Sequence, residues 1–380
     1  MDKKVEGKPP VEAVEKTEDH KETAKPSFLK QTVICIGEYP IKILLRGSFL
    51  EKKEEPLPIL IDKSSKDIVK WSQSSLNPDN ILGLDLNVDM HFWYQVLPCV
   101  TGDSALIARL KNKPINNWRG AVFVSSLWDG VGSALLPALI SQFKEWNINS
   151  VAFAVLPSKI QTADVQFNAF SSLGMCASKD FTSVLLVDRD QLENYVGVNR
   201  NGSKLKGNII VNYLLELALA KETFVQELCE LSRAFNVKMY AILLATGASL
   251  QIYGSLENIL NIALSRPLLK FDLSSASLLY VLLRIPAHLK DKLPQEKVEL
   301  AIATWFKEKA NLKSIYVSEP IYVADVSDRI DVAMFLGGFD ATKMLRSMEK
   351  KVSAVKSQAI KQGSIKEDDW QAIVKSLVAV

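Results

Sequence analysis

The sequence predicts an α/β protein in which a doubly wound, Rossmann-like parallel sheet precedes a smaller α+β domain. Short runs that are apolar on both faces, such as SVAFAVLP at 150–157 and TSVLLVD at 182–188, are typical of buried strands in a parallel sheet. Segments with helical spacing separate these runs and supply the crossovers that parallel strands need. Further strand-like runs follow residue 223, and 380 residues are enough for two domains with real cores.

The individual elements follow from where apolar runs alternate with turn residues. The predicted strands lie at 32–37, 57–62, 120–126, 150–157, 182–188, 237–245, 277–286, 312–324 and 329–339. Helical spacing is clearest in ALLPALISQFKEWN and TADVQFNAFSSLGMCAS, between the early strands, and at about 255–264 and 294–309 in the later part. This alternation indicates one parallel sheet followed by a separate α+β layer.

Composition excludes several classes of protein. The chain is 48% apolar and 23% charged, as in an ordinary globular protein, and 46 basic against 43 acidic residues argue against a broad nucleic-acid footprint. Four scattered cysteines form no CxxC pair, and three isolated histidines argue against a zinc site or a Ser-His-Asp triad. No apolar run approaches the length of a membrane span, so we expect a cytoplasmic protein without a transmembrane segment.

The chain divides into five predicted segments. Residues 203–222 are apolar nearly all round, which predicts a helix buried between two packed bodies. The other four are a disordered arm rich in Lys, Glu and Pro at 1–28, a nucleotide-binding-like domain at 29–202, an α+β domain at 223–340 and a tail at 341–380.

The tail is predicted to end in an amphipathic helix. Its apolar residues include Trp370, Ile373 and Leu377, at helical spacing. Two interpretations remain open for this helix. It packs on its own domain, or it engages another protein after the Lys-rich stretch that precedes it.

The stretch SSLWDGVGSALLP at 125–137 joins a predicted strand to a predicted helix. In α/β proteins such a turn holds phosphate, because helix N-terminal N–H groups favour an anion. A second interpretation needs no ligand, since the carboxylate of Asp129 would itself cap the free N–H groups of the helix.

Two stretches of the later domain resemble FtsZ. NIALSRPLLKFDLSSASLLYVLLRIP resembles the pattern in which a helix ends, runs through an Asp-containing turn and enters a strand. SIYVSEPIYVADVSDRIDVAMFLGGF resembles the paired strands that close the same domain. Over roughly residues 31–340 the chain is therefore similar to the tubulin/FtsZ superfamily of filament-forming GTPases, as a divergent prokaryotic FtsZ-like protein of bacterial or archaeal type. The resemblance implies the tubulin/FtsZ fold.

The resemblance also implies a guanine nucleotide, GTP or GDP, on loops at the strand ends. Trp128 and Asp129 stand where the family has glycine and threonine, so its phosphate loop is altered. Gln161 and Val165 stand where the family has the acid and the arginine that contact the sugar. The base-reading position falls on Gly207, or one residue later on Asn208. The residues carried over to the nucleotide site are Gly37, Asp62, Gly102, Asp129, Gly130, Gly132, Ser133 and Asn208.

A catalytic pair is implied by QELCE at 226–230, which resembles the FtsZ acids that reach the nucleotide of the next subunit. Glu227 and Glu230 are three residues apart, so a helix places both carboxylates on one face, able to position a water. The alternative is an ordinary solvated face of an amphipathic helix.

The function implied is that of a cytoskeletal protein that forms or joins filaments, with weak or absent GTP hydrolysis, in a process such as cell division. Its partners would be copies of itself stacked head to tail, or a paralogous subunit, together with a protein that binds the C-terminal helix. Two alternatives stay open: an active GTPase with unusual nucleotide contacts, and an adaptor that does not polymerise.

Overall fold

The structure is a computed structural model that describes residues 30–46, 57–72, 76–102, 104–113, 118–178 and 182–378. The predicted N-terminal arm at 1–28 lies outside the described residues. Within them the chain forms one large mixed sheet with helices on both faces, which confirms the predicted α/β class.

Thirteen strands lie in the described part of the chain, close to the positions that the apolar runs predict. They are β1 (Lys30–Ile36), β2 (Ile59–Asp62), β3 (Ile81–Gly83), β4 (Trp118–Ser126), β5 (Ser150–Leu156), β6 (Thr182–Asp188), β7 (Val196–Val198), β8 (Lys204–Lys206), β9 (Met239–Ser249), β10 (Leu278–Pro286), β11 (Ser314–Val317), β12 (Ile321–Val323) and β13 (Arg329–Gly337).

Fourteen α-helices lie between and after these strands in the same described residues. They are α1 (Glu38–Leu45), α2 (Ser65–Ser72), α3 (Trp93–Val100), α4 (Ala105–Lys111), α5 (Gly130–Glu145), α6 (Ala163–Ala177), α7 (Arg189–Asn194), α8 (Ile209–Ala220), α9 (Phe224–Phe235), α10 (Leu250–Tyr253), α11 (Leu256–Ser265), α12 (Gln295–Lys307), α13 (Thr342–Lys361) and α14 (Glu367–Val378). None of these helices has both the length and the apolar character needed to cross a bilayer.

The sheet is continuous through both halves of the chain. Its strand order is β11-β10-β13-β9-β6-β5-β4-β1-β2-β3, with β12 also beside β10 and β7-β8 forming a separate hairpin. The strands from β3 to β9 in this order run parallel, whereas β13 is antiparallel to both β9 and β10. Parallel strands end at one edge of the sheet, so the turns after β1, β2, β4 and β6 are brought together there.

The buried helix between the two halves begins six residues later than the sequence pattern predicts. Residues 204–206 form strand β8, and the left-handed Gly207 (φ 55°) turns the chain into α8. Helix α8 contacts both sides, because Asn212 Nδ2 donates to the Ile43 carbonyl (2.7 Å) and Tyr213 donates to Asp331 (2.9 Å). The sequence pattern did not reveal strand β8, because Leu205 lies four and five residues before Ile209 and Ile210 and so fits the apolar spacing of the helix.

The C-terminal helices are not detached from the body of the protein. Trp370 of α14 stacks on Phe167 and Phe170 of α6, with ring centroids 5.7 Å and 5.4 Å apart, and is 4% exposed. Ile373 packs where Gly174 leaves room, since a Cβ on that glycine would lie 2.5 Å from the Ile373 side chain. The apolar face of α14 is thus buried on its own chain, which agrees with the interpretation that this helix packs on its own protein.

Candidate functional site

A cleft of about 890 Å³ opens at the edge of the sheet where β1, β2, β4 and β6 end. Its wall includes the start of α1, the turn before α5 and Asn208 before α8. Sites in open α/β sheets occur at this edge, and the volume lies in the range of small-molecule sites.

Asp129 occupies the N-cap position of α5. Its Oδ1 accepts a hydrogen bond from the Gly132 backbone N–H (2.7 Å), and its Oδ2 accepts one from the Ser126 hydroxyl (3.4 Å). A carboxylate therefore satisfies the helix terminus that a phosphate would otherwise approach. Desolvation raises the pKa of this carboxyl above its ordinary value, while the Gly132 and Ser126 hydrogen bonds oppose the shift.

The glycines of this region are required by packing. A Cβ on Gly132 would lie 1.9 Å from the Ser126 carbonyl oxygen, and one on Gly130 would lie 2.3 Å from the Met90 carbonyl oxygen. Gly37 adopts φ 90°, a conformation that side chains disfavour. Because the fold itself needs these glycines, their presence is no sign of a bound phosphate.

Aromatic and cationic side chains fill the space in front of the turn. The Trp128 and Tyr39 rings meet edge to face with centroids 4.7 Å apart. The Arg189 guanidinium lies over Trp128 at 5.2 Å and over Tyr39 at 5.7 Å, and it pairs with Glu193. This cluster occupies the approach to the α5 N-terminus with the chain's own side chains.

Asp62 ends β2 on the cleft wall and is 2% exposed. Its Oδ2 has no hydrogen-bond partner. Burial raises the pKa of Asp62 to about 6, and the negative charge of Asp129 contributes to the shift. A buried carboxylate oxygen without a donor costs stability, so Asp62 is a group in the cleft that a ligand donor or cation would satisfy.

The cleft brings together some of the predicted nucleotide residues and not others. Asp62, Asp129 and Asn208 line it, whereas Gly37, Gly130 and Gly132 lie in the turns behind the wall. Ser133 is buried, and its hydroxyl donates to the Asp129 carbonyl, so it points into the helix.

Two further positions depart from a family-like nucleotide site. Gly102 is not among the residues that line the cleft, and Val165 contributes an apolar wall where the family's arginine would lie. Val165 therefore lines the cleft with an apolar side chain, and the altered sugar contact stays a prediction.

Sequence reasoning missed the cations of the cleft. Lys42, Arg46, Lys63 and Arg189 all line it. The position of Arg189, directly after a strand that ends at this edge, is a signal that would have found it. Lys42 and Arg46 lie on α1 one turn apart, which their spacing of four also indicates.

No family model and no curated protein matches the sequence. Solved structures do match. CetZ from Methanosaeta thermophila is 14% identical, with a TM-score of 0.64 over 91% of this chain and 97% of that one. The chain has the tubulin/FtsZ fold. The GDP-bound CetZ1 monomer from Haloferax volcanii is 12% identical (TM-score 0.65; 86% and 99% covered), and the GTPgS-bound CetZ2 protofilament from the same organism is 18% identical (0.65; 87% and 99%).

In this tubulin/FtsZ fold the two predicted catalytic acids lie at the opposite edge of the sheet from the cleft. Helix α9 packs at the start of the parallel strands, where Gln31 accepts from Val225 N (2.9 Å). Glu227 accepts hydrogen bonds from Tyr280 and Ser318 (both 2.8 Å) and from Thr223 (2.5 Å).

Glu230 is exposed, and Gln226 on the preceding turn of α9 donates to it (2.9 Å). The two acids therefore differ. Glu227 is held within its own domain by three side-chain hydrogen bonds, and Glu230 faces outward.

Proposed function

We propose that this protein is a cytoskeletal, tubulin-like subunit that assembles head to tail in the cytoplasm, in a process such as cell division, with weak or absent GTP binding and hydrolysis. The fold supports the cytoskeletal part, and a similar structure is described as a protofilament. The cleft and α9 lie at opposite ends of the sheet, which suits stacking in which one subunit covers the cleft of the next.

The observation that carries the proposal of a weak site is the 2.7 Å hydrogen bond from Gly132 N to Asp129 Oδ1. A phosphate at this turn would have to displace the carboxylate or lie against it, and two negative charges at such a distance repel. Nucleotide-independent assembly is then the expected behaviour.

The contacts of the two acids on α9 support the proposal of slow hydrolysis. Glu227 would have to break hydrogen bonds to Tyr280 and Ser318 before it could position a water in the next subunit. Only Glu230 of the implied pair is presented outward, so this geometry favours a structural contact over efficient catalysis.

One observation favours the alternative of nucleotide bound through unusual contacts. The cleft remains open, and Lys42, Arg46 and Lys63 provide side-chain cations that would pair with phosphate oxygens. In that case GTP would be held by side chains from α1 and the β2 turn, away from the α5 N-terminus.

The first experiment measures nucleotide and assembly together. Purified protein is denatured, the released nucleotide is quantified by chromatography, and light scattering is followed with and without GTP. We expect much less than one nucleotide per chain and scattering that does not depend on GTP. Stoichiometric guanine nucleotide with GTP-dependent scattering would support the alternative, and monomers at high concentration would contradict filament formation.

A matched pair of substitutions tests the capped turn. Asp129→Ala removes the cap and the charge, so we expect a loss of about 0.5–2 kcal/mol of unfolding free energy together with tighter nucleotide binding. Asp129→Asn removes the charge and retains a good N-cap, so stability should hold while affinity rises. Denaturant unfolding and a fluorescent GTP analogue report the two effects. If neither variant binds more nucleotide, Asp129 is not what excludes it.

A further inference from the structure

Helix α13 carries an exposed row of basic side chains. Lys343, Arg346 and Lys350 are three and four residues apart, so they share one helix face, and Lys361 continues the row after three more turns. All four are exposed. The opposite face of the helix, with Leu345, Met348, Val352 and Ala359, is buried against the body of the protein.

The charge of this helix is out of proportion to that of the chain. Residues 342–361 contain six Lys or Arg and one Glu, a net charge of +5, whereas the whole chain has +3. Positive charge is therefore concentrated on one surface element of a protein that is otherwise nearly neutral, and it creates a local field there.

Most of this charge is not neutralised within the described residues. Lys356 pairs with Glu367 (3.0 Å), at the end of the helix nearest the acidic start of α14. In the part of the chain that the structure describes, no carboxylate forms an ion pair with Lys343, Lys350 or Lys361. The strongest positive surface is accordingly the first half of α13.

An exposed apolar side chain lies beside this half. Lys351 Nζ donates to the Lys159 carbonyl oxygen (2.7 Å), which holds the loop after β5 against α13. The next residue in that loop, Ile160, is 92% exposed. A large aliphatic side chain that projects into solvent next to a row of cations is the combination by which peripheral proteins attach to lipid.

We propose that the basic face of α13, with Ile160 beside it, binds the surface of an anionic lipid bilayer. The exposed side chains between the cations are small or polar, with Ser347, Glu349 and Ala354 among them, and give no aromatic or large apolar anchor of the kind that protein interfaces use. Attraction to anionic headgroups needs only the charge density that is present. The proposal does not depend on nucleotide binding.

The test is sedimentation of the full chain with vesicles of phosphatidylcholine alone and of phosphatidylcholine containing about 30% phosphatidylglycerol. We expect binding to the anionic vesicles only, weakening as salt rises, because the Debye length falls to about 8 Å at physiological ionic strength. Equal binding to both vesicle types, or binding to neither, would overturn the proposal.

Substitutions locate the surface. Lys343→Glu, Arg346→Glu and Lys350→Glu together should weaken anionic-vesicle binding at least about 10-fold, since each basic residue contributes several-fold. The matched control reverses Lys292, Lys297 and Lys307, which are exposed on or before α12, and has the same net charge. It should bind markedly more tightly than the α13 variant. Equal loss in both variants would mean that overall charge, rather than this face, is responsible.

Two further measurements keep the result unambiguous. Thermal unfolding of the α13 variant checks that it is folded, which the outward position of all three side chains predicts. Ile160→Ser, which removes the apolar side chain and adds no charge, should weaken vesicle binding and leave its salt dependence unchanged. If poly-glutamate binds the α13 face and anionic vesicles do not, the partner is an acidic protein and the lipid proposal is wrong.

Discussion

Two buried aspartates, one in each half of the molecule, differ in whether their carboxylate oxygens have hydrogen-bond donors. Asp331 in β13 is fully buried and accepts hydrogen bonds from Arg284 (2.7 Å), Tyr213 (2.9 Å) and the Gly247 backbone N–H (2.7 Å). Asp62 at the cleft is also buried, yet its Oδ2 has no hydrogen-bond partner. The first carboxylate joins elements, whereas the second is a cost to stability that a functional site retains.

The difference follows from what surrounds each carboxylate. Asp331 lies where α8, β9, β10 and β13 converge, so donors from several elements reach it. Asp62 lies at the end of a strand near another carboxylate, Asp129, and their charges repel. Polar groups that lack hydrogen-bond partners, as at the cleft, are available to a ligand or a partner protein. Polar groups that are fully hydrogen-bonded, as at the junction around Asp331, hold the surrounding elements rigidly together.

The largest expected effect is a loss of stability when Asp331 is replaced at the junction of α8, β9, β10 and β13. Asp331→Ala would leave the guanidinium of Arg284 buried without its partner, and we expect a loss of about 3–5 kcal/mol of unfolding free energy. Denaturant unfolding measures this loss. The control Asp331→Asn, which keeps an acceptor but no charge, should lose less. A loss below about 1 kcal/mol for the alanine variant would mean that Arg284 finds other partners.

The second expected effect is a gain in stability, and it comes from replacing Asp62. The pKa of Asp62 is raised from 3.8 to about 6, so the folded state binds its proton more tightly than the unfolded state does. The contribution of Asp62 to stability is therefore complete below pH 3.8 and is lost as pH rises through about 6.

Asp62→Asn should then be more stable than the wild type by about 2–3 kcal/mol at pH 7–8, since each pKa unit corresponds to about 1.4 kcal/mol. The gain should shrink as pH falls through about 6 and disappear well below pH 3.8, where the wild-type carboxyl is protonated in both states. Unfolding of both proteins across this pH range gives the result. A difference that does not vary with pH would show that Asp62 has an ordinary pKa.

The smallest effect extends the comparison to the two acids of α9. Glu227→Ala removes the acceptor for the buried Tyr280 and Ser318 hydroxyls, and we expect a loss of about 1–3 kcal/mol. Glu230→Ala on the exposed face should change stability by no more than about 0.5 kcal/mol. The matched pair is compared by thermal unfolding. Equal losses would contradict the difference in their contacts.

Much of the fold was predictable because apolar runs mark buried strands directly. The strands at 150–156, 182–188 and 278–286 fall within a residue of their predicted bounds, since each is buried on both faces and so has a continuous apolar run at its centre. The β7-β8 hairpin was not predicted, because its short strands carry no such run. The sequence left two interpretations of the tail open, since periodicity shows that a helix has an apolar face and not what covers it.

The sequence predicted where the candidate site lies but not all of the residues that line it. The strand-to-helix turn at 125–137 and Asp62 are found at the cleft because parallel strands end at one edge. The sequence left two interpretations of Asp129, and the 2.7 Å bond from the Gly132 N–H shows that its carboxylate caps the helix. Arg189 and Lys63 enter the cleft from turns whose convergence depends on the strand order.

The sequence by itself determined the α/β class, the strand positions, the amphipathic tail and the altered turn, because each is a local pattern of apolar period or residue type. Only the tertiary structure decided that the tail covers α6, that Glu227 is tied to Tyr280, and that Asp62 Oδ2 lacks a donor whereas Asp331 has four. Whether a polar group is satisfied depends on donors far away in the chain, and their approach is fixed by sheet order and helix packing rather than by neighbouring residues.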